Sequence, residues 1–444
     1  MDSRQSYVLR TVEERKVRLA RLWFCDVLGH LKSVAISPVE LDTAFDEGVQ
    51  FDGSAIDGFS RVQESDVLAV PDASSFQLMR WDEGGEMSAR MFCDLVNLDG
   101  SPFEGDPRQV LRRNLNRARD AGFELMCAPE VEFFYFRSDD PRSGPTPLDQ
   151  ASYFDLTTFD ASSDIRRETI QRLEATGIPV EYSFHEDAPS QHEIDLRYTD
   201  ALTMADNLMT LRLIVREVAL AHGVHATFMP KPMAGVQGSG MHTHLSLFAG
   251  ETNAFYDPEH PSGLSTTAQQ FVAGLLHHSP EITAVTNQLV NSYKRLVSGF
   301  EAPVHVSWAR NNRSALVRVP IAKRGKEPVA TRIEYRAIDP ACNPYLAFSV
   351  ILAAGLAGIE GGYELPPEAT TNLFDPAVSA TIDNTELLPA SLAEALDRME
   401  QSTLVREALG EHIFEWFLRN KRAEWAEYKA HVSQFELDRY LSRW

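Results

Sequence analysis

Charged or polar positions alternate with apolar ones along four short stretches of this chain. The charged or polar positions are Glu130 and Glu132; Glu193 and Asp195; His242, His244 and Ser246; and Arg332, Glu334 and Arg336. Alternate residues of a β-strand point to the same face, so this spacing predicts four strands that each present a charged face. Apolar or aromatic residues between and after the charges, as in Glu130-Val-Glu-Phe-Phe-Tyr-Phe, indicate that both faces are at least partly enclosed.

Enclosed carboxylates require compensating cations, because an unpaired buried charge costs several kcal/mol or shifts its pKa until it is neutral. The candidate ligands are Glu130, Glu132, Glu186, Glu193, His242 and Glu334. This oxygen-rich set favours two or more hard divalent ions, Mg²⁺ or Mn²⁺, over Zn²⁺. Exposed strand edges that simply carry glutamate would explain any one pair equally well, but they explain the whole set poorly. The pattern therefore predicts a cavity that contains metal.

Turn signals divide the chain into two units. A basic helix around residues 12–19 begins the first unit, which we place at residues 1–102. The turn-rich segment Ser101-Pro-Phe-Glu-Gly-Asp-Pro joins it to a second unit at residues 103–444. Mixed helical and strand patterns in both units indicate an α+β protein.

Four segments of the second unit have helical spacing. Residues 108–121 and 204–222 are predicted helices, and residues 346–359 are apolar nearly all round, which is typical of a buried helix. Residues 411–440 combine aromatic and charged residues in the pattern of an amphipathic helical tail.

No 18-residue window reads as a membrane span and no signal peptide is recognisable, so we expect a cytoplasmic protein without a membrane partner.

Net charge and cysteine spacing argue against several classes of function. The 444 residues carry a formal net charge of -22, which argues against nucleic acid as the main partner because phosphate backbones are bound by basic surfaces. The four cysteines show no CxxC spacing, so neither a disulfide framework nor a zinc ribbon is indicated.

A glycine-rich turn and four arginines are candidates for binding phosphate. A Gly-Ser-Gly turn at residues 238–240 precedes His242, and glycines let backbone N–H groups approach an anion, although such a turn is often a plain loop. Guanidinium groups bind carboxylate and phosphate in a bidentate manner, and the candidates are Arg295, Arg310, Arg313 and Arg318. Alternatively, these arginines lie on a solvated loop and bind no ligand. Divalent ions together with an arginine clamp fit phosphoryl transfer from a nucleotide.

These segments together resemble the class I, bacterial-type glutamine synthetase family, and the resemblance runs over nearly the whole chain. Phe51-Asp-Gly-Ser is similar to the family's latch motif, and residues 231–246 are similar to its ATP-side signature. The resemblance implies an N-terminal β-grasp domain and a catalytic domain with a curved antiparallel sheet and surrounding helices. It also implies a homododecamer of two hexameric rings, with each active site between neighbouring subunits.

The resemblance implies a role for each matching position. One metal site is implied at Glu132, Glu186 and Glu193, and a second, beside the nucleotide phosphates, at Glu130, His242 and Glu334. ATP contacts are implied for His244, Ser246 and Arg332, and glutamate contacts for Gly238, Arg295 and Arg336. Arg313 and Arg318 match positions that face the transferred phosphate. Asp52 and Tyr153 match members of the ammonium pocket, and Glu301 matches a flap carboxylate.

The implied reaction uses ATP and glutamate to form γ-glutamyl phosphate, which ammonia then attacks. Four positions near the acceptor pocket depart from the family pattern, namely Ala55, Phe184, Asp187 and Gln237. They keep open a γ-glutamyl-amine ligase that uses a polyamine or ethanolamine. A catalytically silent paralogue is the third alternative, disfavoured because every metal-ligand position carries a suitable residue.

Regulation is implied in part. Asn372-Leu-Phe-Asp matches the segment in which adenylylated members carry a tyrosine, but Phe374 has no hydroxyl group to modify. The chain is therefore similar to the compact, non-adenylylated subtype. Arg61 resembles an arginine through which that subtype senses its product, although a surface arginine near a loop explains it equally well.

Overall fold

The computed structural model describes residues 2–58, 66–79, 87–156, 158–374 and 386–444. Arg61, the candidate product sensor, lies outside the described residues. Within these ranges, the strands belong to two sheets, which carry the two parts of an α+β fold.

The first sheet occupies the N-terminal part of the chain. Its strands are β1 (Leu19–Cys25), β2 (Leu31–Ile36), β3 (Val49–Asp52), β4 (Asp66–Pro71), β5 (Gln77–Met79) and β6 (Ser88–Val96). The strand order is β2-β1-β6-β4-β3, with β5 paired to β6. Strands β1 and β6 run parallel, and the other pairs are antiparallel. Helices α1 (Ser3–Glu14) and α2 (Leu41–Glu47) belong to this part, as do short 3₁₀ helices at Pro38–Glu40 and Ala73–Ser75.

The first helix lies upstream of its predicted position at residues 12–19, so that prediction was wrong. A capping box between Asp2 and Gln5 begins the helix by satisfying its first backbone donors. Lys16 has a left-handed φ of 52°, and Leu19 already begins β1. Pairing of β1 with β2 and β6 outweighs the local helical spacing, because propensity is a weak guide where tertiary contacts are available.

The second sheet carries the charged strands. Its members are β7 (Glu124–Phe136), β8 (Val180–His185), β9 (Gln191–Leu196), β10 (Thr199–Asp200), β11 (His225–Thr227), β12 (Thr243–Ala249), β13 (Thr252–Asn253), β14 (Trp308–Ala309), β15 (Val317–Arg318) and β16 (Ile333–Tyr335). The main order is β14-β15-β16-β12-β7-β9-β8, and all but the β14–β15 pair in this path are antiparallel. Strand β7 is central, since β9, β10, β11 and β12 all pair with it.

Helices surround this sheet. They are α3 (Pro107–Asp120), α4 (Ser163–Ala175), α5 (Ala201–Ala221), α6 (Thr266–Thr286), α7 (Ser292–Arg295), α8 (Glu327–Ala330), α9 (Pro344–Gly361), α10 (Leu392–Glu400), α11 (Thr403–Leu409), α12 (Glu411–Ala430) and α13 (Gln434–Tyr440). Helices α3 and α5 confirm the predictions at residues 108–121 and 204–222. The predicted tail at residues 411–440 is two helices, because Ser433 caps a second one.

Helix α9 is a buried core helix that packs closely on α6. A Cβ atom at Gly274 would lie 2.2 Å from the carbonyl oxygen of Ala354, so only glycine permits this approach. Helix α9 is long and apolar enough to cross a membrane by composition, contrary to the expectation that no such window exists. However, 78% of that window is buried inside the protein, as in the core helix of a globular domain.

Candidate active site

Carboxylates face one another across strands β7 and β9. Glu130 pairs directly with Asp195, and Glu132 pairs directly with Glu193. Like charges on directly opposed residues of an antiparallel pair destabilise a sheet. Two such pairs on neighbouring positions therefore require either positive charge from outside the two strands or bound protons.

These side chains line a cavity of 470 Å³. All six candidate metal ligands contribute to its wall, namely Glu130, Glu132, Glu186, Glu193, His242 and Glu334. The wall also includes Tyr153, Gly238, Arg295, Glu301, Arg313, Arg318 and Arg336. The described residues that line this cavity do not include Asp52, His244, Ser246, Arg310 or Arg332.

One side of the cavity consists of Glu130, His242 and Glu334, and we name it the nucleotide side after the role that the resemblance implies for these residues. Their ligand atoms lie within 4.8 Å of one another, a separation that one metal ion can bridge. Arg318 Nη1 and Arg336 Nε lie 2.7 and 2.9 Å from the two carboxylate oxygens of Glu334. Burial would raise the pKa of Glu334, but Arg336 and His242 hold it below its usual value.

Arg332 and His244 form a chain of hydrogen bonds that ends at Glu130. Arg332 Nε donates to His244 Nδ1 over 3.2 Å, so Nδ1 is the acceptor. His244 Nε2 then donates to Glu130 Oε1 over 2.7 Å. Burial would raise the pKa of Glu130, but hydrogen bonds from His242 and His244 hold it well below its usual value. Glu130 is therefore a fixed, charged carboxylate.

The second side consists of Glu132, Glu186, Glu193 and Asp195, and we name it the acceptor side because the resemblance implies that the acceptor pocket lies beside it. Burial, together with the charge of Glu186, raises the pKa of Glu132 to about 8. Burial and Glu130 raise the pKa of Asp195 to about 8. Burial and neighbouring carboxylates also raise the pKa of Glu193 well above its usual value. These oxygen ligands fit a hard divalent cation, which would supply the missing charge.

The glycine turn contacts the acceptor side. The N–H of Gly240 donates to Glu132 Oε2 over 2.9 Å, so the anion that this turn approaches is a carboxylate of the protein itself. A Cβ atom at Gly240 would lie 2.5 Å from Arg295 Nη2, and one at Gly238 would lie 2.2 Å from the carbonyl oxygen of Pro230. Gly238 therefore requires glycine, because a backbone carbonyl cannot move aside, whereas a side chain at Gly240 would displace the Arg295 guanidinium.

Arg295 is buried beside the turn. Its Nη1 donates to the carbonyl oxygen of Ala337 over 2.6 Å, and its Nη2 donates to that of Arg336 over 3.1 Å. These bonds hold the segment that follows β16 against α7. Arg295 thus reaches the cavity with part of its hydrogen-bonding capacity already used by the backbone.

Aromatic and polar residues form the rim beside the acceptor side. The rings of Tyr153 and Phe184 lie 5.6 Å apart in an edge-to-face arrangement. Asp187 accepts hydrogen bonds of 2.8 Å from Gln237 Nε2 and from Ser152 Oγ. Two of the departures from the family pattern are therefore hydrogen-bonded to each other, and the Asp187 carboxylate joins three loops.

Three predicted residues have distinctive positions. Glu301 lines the cavity in a loop and has a left-handed φ of 57°, which is unusual for a residue with a side chain. Asp52 ends β3 in the first sheet and accepts a hydrogen bond of 2.8 Å from the N–H of Ser54. Arg310, a clamp candidate, is paired instead with Glu368, with 2.7 Å between Nη2 and Oε2.

Sequence reasoning missed three residues as members of the cavity wall, namely Gln191, Phe300 and Phe374, and it placed Asp195 on a charged face without proposing it as a ligand. Gln191 Nε2 donates to Glu132 Oε2 over 3.0 Å and to the carbonyl oxygen of Gly238 over 3.1 Å. Gln191 lies two residues before Glu193 on β9, so the same alternation would have found it. Phe300 and Phe374 lie in loops and gave no such signal.

Two family descriptions cover most of the chain. "Glutamine synthetase, beta-Grasp domain" matches residues 16–98, and "Glutamine synthetase, catalytic domain" matches residues 104–440. The chain belongs to the glutamine synthetase family. The first sheet is thus the β-grasp part, and the second sheet with its helices is the catalytic part.

Individual members of the family are similar over their full length. A glutamine synthetase of Mycolicibacterium smegmatis is 55% identical, with 100% of each chain covered. A glutamine synthetase of Thermotoga maritima is 47% identical, with 98% of each chain covered. Among solved structures, a complex of GmaS with ADP has 32% identity and a TM-score of 0.88, and the match covers 98% of this chain and 99% of that one.

Proposed function

We propose that this member of the glutamine synthetase family is a glutamate–ammonia ligase, which forms glutamine from glutamate and ammonia while ATP is consumed. The observation that carries the proposal is one cavity that combines six metal-ligand candidates with several arginines. Relatives named glutamine synthetase at 55 and 47% identity support the activity, and the similar GmaS complex with ADP supports a nucleotide substrate.

The donor set fits two or more Mg²⁺ or Mn²⁺ ions. Glu130, His242 and Glu334 would hold an ion on the nucleotide side, and Glu132, Glu186 and Glu193 would hold one on the acceptor side. Bound ions would neutralise charge on the transferring phosphoryl group and on the carboxylates.

The first step forms γ-glutamyl phosphate. Gly238, Arg295 and Arg336 would hold glutamate so that its γ-carboxylate faces the γ-phosphate of ATP. Arg313 and Arg318 would balance charge on the phosphoryl group as the bond to ADP breaks. His244, Ser246 and Arg332 would position the nucleotide, and the bond between His244 and Glu130 links that function to a metal-ligand candidate.

The second step joins ammonia to the activated carbonyl carbon, and phosphate leaves. Asp52 and Tyr153 would bind ammonium, and Asp52 would take its proton. Glu301 would close over the site, exclude water and accept a proton from the tetrahedral adduct. Asp52 does not line the cavity of its own chain, so its role requires a neighbouring subunit.

The position of Asp52 calls for an oligomer with shared sites, and the resemblance to the family implies a dodecamer of two hexameric rings. Exposed apolar side chains at the C-terminal end support it, among them Phe435, Leu441 and Trp444, the last with 98% of its surface exposed. Mass photometry of the purified protein should give a mass of twelve chains. A monomeric, active enzyme would contradict the shared site. The cytoplasmic location stays a prediction.

A γ-glutamyl-amine ligase is the second candidate, because Phe184 and Tyr153 give the rim an apolar wall. The Asp187 carboxylate gives it limited support, since each of its oxygens already accepts one hydrogen bond, from Ser152 or Gln237, and has one further acceptor site. Phosphate release should be measured with ATP and glutamate while ammonium, putrescine, spermine or ethanolamine is supplied, with reactions that lack glutamate as the control. Saturation by millimolar ammonium is expected. Strong activity with an amine beside negligible activity with ammonium would contradict the proposal.

A further inference from the structure

We propose that His185 and Asp149 form a buried clamp that holds the backbone of Glu186, so that its carboxylate stays at the acceptor side. Both are positioning residues, because neither is among the described residues that line the cavity. The inference rests on the proposed function, in which Glu186 is a metal ligand.

His185 points away from the cavity. Phe184 and Glu193 are cross-strand partners on β8 and β9, and both line the cavity. Adjacent residues of a strand point to opposite faces, so His185 and its own partner His192 face the interior behind the cavity wall. Both imidazoles are completely buried.

The two ring nitrogens of His185 contact two acceptors. Nε2 lies 3.1 Å from Asp149 Oδ1, and Nδ1 lies 2.6 Å from the carbonyl oxygen of Glu186. Carboxylate and carbonyl oxygens only accept, so the ring donates through both nitrogens. Asp149 also accepts from the N–H groups of Ser190, over 2.9 Å, and of Ala161, over 3.1 Å. The backbone of Glu186 is therefore tied through His185 to two further loop segments.

Glu186 requires this restraint because β8 ends one residue before it. Its N–H donates to the carbonyl oxygen of Gln191, and its carboxylate accepts from the N–H of Asp187, both over 2.8 Å. Glu301 lines the same cavity, and its charge repels the Glu186 carboxylate until a cation binds. A backbone held at both N–H and carbonyl keeps the side chain directed at the ion site, as outer partners of metal ligands do.

The buried cluster is not itself a metal site. Asp149, Asp160, His185 and His192 place ligand atoms within 4.8 Å of one another. However, Arg166 Nη1 lies 2.7 Å from His192 Nδ1 and 2.8 Å from Asp160 Oδ2. The guanidinium group therefore already supplies the cation that these side chains need.

The test compares His185→Gln with His192→Gln, which removes the neighbouring buried imidazole but leaves the contacts of Glu186 in place. Full-length proteins are stripped with a chelator and titrated with Mn²⁺, and free Mn²⁺ is followed by electron paramagnetic resonance. We expect H185Q to bind the acceptor-side ion about 10-fold more weakly, the loss typical of removing an outer partner. The ion held by Glu130, His242 and Glu334 is an internal reference that should keep its affinity. H192Q should bind both ions like the wild type.

A purely structural role would give a different result. In that case, both variants would unfold at lower temperature while neither lost affinity for one ion selectively, and the clamp would be refuted. Equal weakening of both ions in H185Q would refute it as well. Asp149→Asn provides a second, nearly isosteric variant with the same expected selectivity if H185Q does not fold. A wild type that binds no Mn²⁺ and forms no glutamine would instead contradict the proposed function.

Discussion

The two sides of the cavity differ in how their negative charges are balanced. On the nucleotide side, Glu334 is paired with Arg318 and Arg336, and Glu130 accepts a hydrogen bond from His244. On the acceptor side, Glu132 and Glu193 oppose each other, and burial and neighbouring carboxylates raise the pKa of each.

The protein's own side chains therefore balance the charge of the nucleotide side, whereas the acceptor side requires a metal ion. The nucleotide side carries its own cations, so its carboxylates remain charged and ordered before any ion arrives. The acceptor side stores electrostatic repulsion that a divalent ion relieves, so ion binding and folding stability are coupled there. Substitutions on the two sides should therefore have different consequences.

The largest expected effect follows from removing an arginine of the nucleotide side. Arg318→Met should lower kcat by about 10³-fold, because an arginine that balances charge on a transferring phosphoryl group contributes an effect of that size. Steady-state phosphate release measures it. Arg310→Met is the matched control, because Arg310 makes a similar 2.7 Å pair with Glu368 away from the cavity. An equal decrease of kcat in the two variants would contradict the role assigned to Arg318.

The next effect concerns stability. Glu334→Gln should lower the free energy of unfolding by about 3 kcal/mol, because it leaves two guanidinium groups near a buried site without their carboxylate. Urea denaturation of the chelated protein measures the change. Glu368→Gln breaks the more exposed pair with Arg310 and should cost less than about 1 kcal/mol. A stability change in E334Q no larger than in E368Q would show that the nucleotide side is not internally balanced.

A smaller effect is a pH dependence of the chelated protein. Burial raises the pKa of both Glu132 and Asp195 to about 8, above their values of about 4 in the unfolded chain. The folded state then binds more protons than the unfolded state between these values, so stability falls as pH rises from about 4 to 8. Asp195→Asn should reduce this slope, and saturating Mn²⁺ should remove most of it. Urea midpoints at pH 5.5 and 7.5 test this, and an unchanged slope in D195N would contradict it.

Local alternation predicted the site well where strands carry it. Glu130, Glu132 and Glu193 are on β7 and β9 as expected, and the structure adds their direct opposition, which depends on a register set by contacts distant in sequence. Gln191 was missed although it has the same alternation, because the prediction was made from charged side chains and an amide carries no charge.

Other features could not be read from local sequence. The pairing of Arg310 with Glu368 joins residues 58 positions apart, and no spacing rule indicates it. The first helix was misplaced because residues 12–19 have apolar spacing compatible with a helix, whereas β1 gains its stability from two neighbouring strands. Asp52 was matched by motif alone, and it lies at the end of β3 in the first sheet, outside the set of described residues that line the cavity.

Without metal the acceptor side has uncompensated carboxyl groups, and a bound divalent ion completes it. The most direct test is the free energy of unfolding of Glu193→Gln relative to the wild type, measured by urea denaturation in chelator and again in saturating Mn²⁺. In chelator, E193Q should be more stable than the wild type by about 1 kcal/mol, because glutamine removes a buried carboxyl group that must bind a proton or carry an uncompensated charge in the folded state. In Mn²⁺ it should be less stable than the wild type, because an ion ligand is lost. A variant that is less stable under both conditions would contradict the account.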